Sequence, residues 1–80
     1  MITATPATDP TSTEAVDALF ASPLQISDVP STVQVKQAID AAMKRFGGLG
    51  CAGCVAEAFG EHPETAVTRM RWVRSLVIHD

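Results

Sequence analysis

Apolar side chains recur at three- and four-residue steps through most of the chain, the spacing that gathers them on one face of a helix. The clearest stretch follows Pro30: Val35, Ala38, Ile39, Ala42, Met43 and Phe46 share a face, with Lys36, Gln37, Asp40 and Lys44 opposite. Ser31 and Gln34 are spaced as a capping box at its start. Gly47-Gly48 predicts its end, because glycine accepts the left-handed backbone of a C-cap. A short helix is expected from about Cys51 to Phe59, with Cys51, Val55, Ala58 and Phe59 apolar and Gly60 stopping it. The last helix should open at Pro63, a favoured first-turn residue, and run to about Ile78 on a stripe of Ala66, Met70, Val73 and Val77.

Ahead of these, Thr11-Ser12-Thr13-Glu14 has capping-box spacing. Residues 13–21 predict a small helix with Val16, Leu19 and Phe20 on one side, ended by Ser22-Pro23. Leu24 to Pro30 reads as an extended connector lying across the helices. Residues 1–12, rich in Thr, Ala and Pro and without periodicity, are expected to be disordered. The sequence shows no strand pattern and no internal repeat. The expected architecture is all-α, with a tail over 1–12, a short helix and connector over 13–30, and a three-helix domain over 31–80.

Eighty residues hold one small domain, and a hydrophobic share of 46% against a charged share of 19% suits a folded chain. A core of this size leaves about 3–5 kcal/mol of stability at best, so a partner or a second copy of the chain is expected. No apolar run approaches the roughly 18 residues that a membrane span needs. The opening MITATPATDPTST has no Lys, no Arg and no apolar block, so it is not expected to be a secretory leader, and the chain reads as cytoplasmic. The net charge of −3 is unevenly spread. Residues 1–30 carry four acids and no base, whereas residues 31–80 carry six bases and five acids. A pI near 5.1 argues against a strongly basic nucleic-acid binder, although Arg69, Arg71 and Arg74 form a local basic cluster.

Two helices joined by a short glycine-containing turn, behind a longer helix, make a helix-turn-helix layout. The stretch from Val55 to Met70 resembles the DNA-binding helix-turn-helix of sigma-factor region four and of LuxR-type regulators. Ala56 and Gly60 match the small residue and turn glycine of those families, and Pro63-Glu64-Thr65 with Thr68-Arg69-Met70 match the recognition helix. The resemblance implies that Ala56 lets two helices approach and that Gly60 turns the chain. It also implies a bacterial transcription regulator, with Thr65, Thr68 and Arg71 nearest base edges and Arg69 and Arg74 on phosphates. The chain departs from the pattern at Glu61 and His62, where a small apolar residue and a Ser or Thr cap are usual. It departs again at Ala66 and Val67, where a buried Val and a polar groove-facing residue are usual. The chain also looks like short proteins of high-GC actinobacteria, a resemblance that brings no function with it.

Cys51-Ala52-Gly53-Cys54 at a helix start is a candidate redox pair, since a helix N-terminus favours the thiolate. Thioredoxin-like chemistry sets this motif in a βαβ frame, and a metal site normally needs four ligands, so reduced structural cysteines are the simpler expectation. His62 and His79 have no visible Asp or Ser partner, and Glu61 and Glu64 suit a helix start. Gly47-Gly48-Leu49-Gly50 lacks the Lys-Ser/Thr of a phosphate loop. No catalytic group, cofactor, metal or small-molecule substrate is expected, and the chain does not read as an enzyme. Trp72 flanks the last helix's core stripe, and Val67, Leu76 and Ile78 are apolar for a solvated surface. Either Leu19, Phe20, Leu24 or Ile26 covers the indole, or Val67, Trp72 and Leu76 meet another chain. The expected function is DNA binding or association with the transcription machinery, with possible homodimerisation. The alternative is a protein-interaction module using the last helix without DNA contact.

Overall fold

The computed structural model describes residues 12–77. Three helices follow one another: α1 (Ser12–Ala21), α2 (Thr32–Glu61) and α3 (Pro63–Val77), with a single 3-10 turn at Ile26–Asp28 between the first two. No strand occurs among the described residues, so the all-α expectation holds. Of the tail expected to be disordered over residues 1–12, residues 1–11 lie outside the described residues, as do Ile78 and His79, whereas Ser12 opens α1. The connector before α2 is not fully extended. Asp28 accepts from the Gln25 N–H at 2.8 Å and curls it, and Val29 takes a left-handed conformation at φ 44°, uncommon for a β-branched residue.

The start of α2 forms as its sequence predicts. The Ser31 hydroxyl accepts from the Gln34 N–H at 3.2 Å, and the Gln34 side chain accepts from the Ser31 N–H at 2.8 Å. Its end does not. Gly47 leaves helical geometry at φ 72°, ψ 171°, a region essentially closed to residues with a Cβ. The chain then resumes helix at once instead of entering a loop. The result is one element with a sharp bend, its halves spanning 32–46 and 48–61. Gly50 permits the tight corner, because a Cβ there would stand 2.9 Å from Phe46 Cβ. Across the bend the Cys51 thiol donates to the Ala42 carbonyl at 3.7 Å.

Helix α1 is the centre of the fold and not an accessory to a domain over residues 31–80. Ala15, Val16, Ala18, Leu19 and Phe20 are all buried, Ala18 and Leu19 completely. Ala18 fits with Ala42 and Cys51 in the bend of α2, where small side chains let three backbones meet. Val16, Leu19 and Phe20 join Val35, Ala66 and Val73 in the larger core. Full burial of a Leu side chain contributes about 1.5–3 kcal/mol. Phe20 stacks on Phe59 of α2, with ring centroids 6.2 Å apart.

Candidate interaction surface

The end of α1 is held by a residue that the sequence assigned to a phosphate. Arg69 of α3 turns inward, and its Nε donates to the Phe20 carbonyl at 3.0 Å. Its Nη2 donates to the Ser22 and Leu19 carbonyls at 2.8 and 3.4 Å. The guanidinium also lies over the rings of Phe20 and Trp72, 5.4 and 5.5 Å from their centroids. A helix C-terminus leaves carbonyls unpaired and carries partial negative charge. No basic residue stands in the last turn of α1, so Arg69 supplies the cation from α3. Lost hydration on burial lowers its pKa. Arg69 is thus a clip between helices, which removes one of the two expected phosphate contacts.

The helix-turn-helix details also shift. Gly60 sits inside α2, Ala56 is exposed, and a Cβ on Gly60 would meet nothing within 4 Å. The corner between α2 and α3 is the single residue His62, at φ −139°, ψ 67°. Its N–H bonds the Ala58 carbonyl at 2.8 Å, and its carbonyl accepts from the Ala66 N–H at 2.9 Å. Thr65, Thr68, Arg71 and Arg74 are exposed, and Thr68 Oγ1 donates to the Glu64 carbonyl of its own helix at 3.3 Å.

Val67, Trp72 and Leu76 do not form one surface. Around α3, Val67 lies about 140° from Trp72 and about 180° from Leu76. Val67 is exposed, whereas Trp72 and Leu76 are half-buried against the core that holds Leu19 and Phe20. Trp72 is covered from within the chain, in part by Arg69.

Cys51 and Cys54 are free thiols, Cys51 fully buried and Cys54 half-buried. Burial raises the Cys51 pKa, and the neighbouring Cys54 and Asp17 raise it further. A raised pKa favours the protonated thiol over the thiolate that a redox pair would use. No group of three or more metal-ligating side chains is found among the described residues. An open groove of about 640 Å³ runs between Phe20, Leu24, Ile26, Thr65, Thr68 and Arg69. A smaller one of about 290 Å³ lies between Pro30, Val35, Ile39 and Leu76.

The surface that sequence reasoning missed is the outer side of α2 beyond its bend. Leu49 is 92% exposed and Phe46 39%, and Ala52, Gly53, Ala56 and Gly60 are exposed behind them. The inner side of the same half carries Cys51, Val55, Ala58 and Phe59, buried or half-buried. A legible signal was present: residues 46–56 contain no charged side chain, yet one side of a surface helix is normally polar. No helix among the described residues is long and apolar enough to cross a membrane. Set against known proteins, the chain matches no family model, no curated sequence and no solved structure.

Proposed function

We propose that this chain is a protein-interaction module that works through the outer face of the second half of α2, without DNA contact. The observation that carries the reading is the near-complete exposure of Leu49 at the head of an uncharged helix face. An exposed apolar face on a surface helix marks a contact site. The test places a photo-crosslinking residue at position 49 of the full chain in cells, with position 37 on the other half of α2 as control. Adducts from position 49 and none from 37 are expected. Absence of any adduct from 49 overturns the reading.

A second reading, DNA binding in a transcription regulator, is favoured by Thr65, Thr68, Arg71 and Arg74, exposed along α3. Titration against mixed genomic DNA at two salt concentrations separates the two. Phosphate contacts weaken steeply with salt, and an Arg71→Ala/Arg74→Ala variant would lose them. Such binding would favour this second reading over the first.

A further inference from the structure

We propose that the outer face of the second half of α2 pairs with the same face of a second copy of this chain, the two helices running antiparallel. The inference rests on the interaction reading above and names its partner. Leu49, Gly53, Ala56 and Gly60 fall within an arc of about 60° around the helix, and every one of them is exposed. Gly53 and Gly60 have no reason within the chain to be glycine. Both lie inside α2, and a Cβ on either would meet nothing within 4 Å. Glycine is the poorest helix former after proline, and its remaining use at such a position is to let another backbone come close.

Side-chain size along the face selects the partner and its direction. Leu49 stands at one end and Gly60 at the other, about 16 Å apart along the axis. An antiparallel two-fold sets Leu49 of each copy over the space at Gly60 of the other, with Gly53 opposite Ala56. A parallel pair would set Leu49 against Leu49 and leave Gly60 facing Gly60. Charge selects the same arrangement. Arg45 is exposed just across the Gly47 bend from Leu49, with Lys44 beside it paired to Asp40 at 3.1 Å, and Glu57 and Glu61 are exposed beside Gly60. Arg45 makes no ion pair among the described residues; it lies over the ring of Phe46 at 5.3 Å. Antiparallel packing brings the basic end of one copy to the acidic end of the other, whereas parallel packing stacks like charges. Such a two-fold contact is self-complementary and closes at two copies.

Sedimentation equilibrium of the full chain, from micromolar to millimolar, should show a reversible dimer. Leu49→Glu and Gly53→Leu both alter exposed positions, so the far-UV circular dichroism should be unchanged while the dimer weakens about a hundredfold, the scale of a central hot spot. Arg45→Glu should weaken it about tenfold, as a charge pair at an interface would, and Glu61→Arg in the same chain should restore it. A single-chain mass at every concentration, or a dimer indifferent to Leu49→Glu and Gly53→Leu, overturns the proposal. The position-49 crosslinker separates the two claims. An adduct with the mass of two chains supports the dimer. An adduct to a different protein overturns the second copy as partner and leaves the interaction module standing. An adduct within one chain, or none, overturns both.

Discussion

Replacing Arg69 with Ala should unfold this protein far more readily than a surface arginine would. Two of its three carbonyl bonds are short, at 3.0 and 2.8 Å, and the third is marginal at 3.4 Å. A hydrogen bond from a charged donor contributes about 1.5–3 kcal/mol, so the short pair gives about 3–6 kcal/mol gross. The guanidinium is only half-buried, and its lowered pKa reports the hydration it gave up. Solvent screening and desolvation offset part of the gain, leaving about 2–3 kcal/mol. A domain of this size has about 3–5 kcal/mol in total, and each kcal/mol moves the melting temperature by about 4–8 °C. The variant should therefore melt on the order of 10–20 °C lower. Arg69→Lys keeps the charge but cannot span three carbonyls, and should recover about half of the loss. Urea unfolding followed by circular dichroism and by the fluorescence of Trp72, the only tryptophan, measures both variants. A change within about 0.5 kcal/mol, the range of ordinary surface substitutions, would refute the clip and return Arg69 to the surface.

The glycines of α2 should divide sharply. Gly47→Ala should cost about 1–3 kcal/mol through its backbone conformation, and Gly50→Ala should also destabilise, by collision with Phe46. Gly53→Ala and Gly60→Ala should each raise the stability of the isolated chain by about 0.5–1 kcal/mol, read by thermal melts at low concentration. Iodoacetamide should label Cys54 first. Cys51, buried with a raised pKa, should react only as the fold opens, which mass spectrometry with and without urea will show. Burial raises the Asp17 pKa, so ionising it opposes folding. That stability is fully present below the unfolded pKa near 3.8 and is lost as pH rises through the folded value. Asp17→Asn should therefore stabilise the protein at neutral pH and change little at pH values below 3.8.

Local signals in the sequence carried most of the helical content. Ser31 and Gln34 marked the start of α2, and the Ala66, Met70, Val73, Val77 stripe identified the inner side of α3, because caps and periodicity depend only on neighbours. Gly47-Gly48 was read as the end of the helix, and Gly47 does leave helical geometry, but only as a bend inside α2. That the helix resumes at Gly48 follows from contacts the sequence does not display, Cys51 to Ala42 and Gly50 against Phe46. Gly60 was read as a helix stop and, through the helix-turn-helix resemblance, as the turn, yet His62 alone makes the corner. The role of Arg69 was hidden for a different reason: its acceptors lie 47 to 50 positions away, and on α3 it flanks a stripe like any solvated arginine. Residues 46–56 carry no charge, but only Cys51, Val55, Ala58 and Phe59 were read as an apolar side, and the side opposite them was left unassigned.

The bend at Gly47 also bears on the order in which the chain assembles. It converts one long helix into two halves whose contacts, such as Cys51 to Ala42, close loops of only nine residues. The Arg69 clip closes loops of 47 to 50 residues. Loop-closure entropy rises with length, and contacts close in sequence favour rapid folding. The corner of α2 should then belong to the folding nucleus, with the joining of α1 to α3 following it. In stopped-flow kinetics, a change at Gly47 should slow folding. A change at Arg69 should leave the folding rate nearly untouched and speed unfolding, so the clip governs how long each folded molecule lasts.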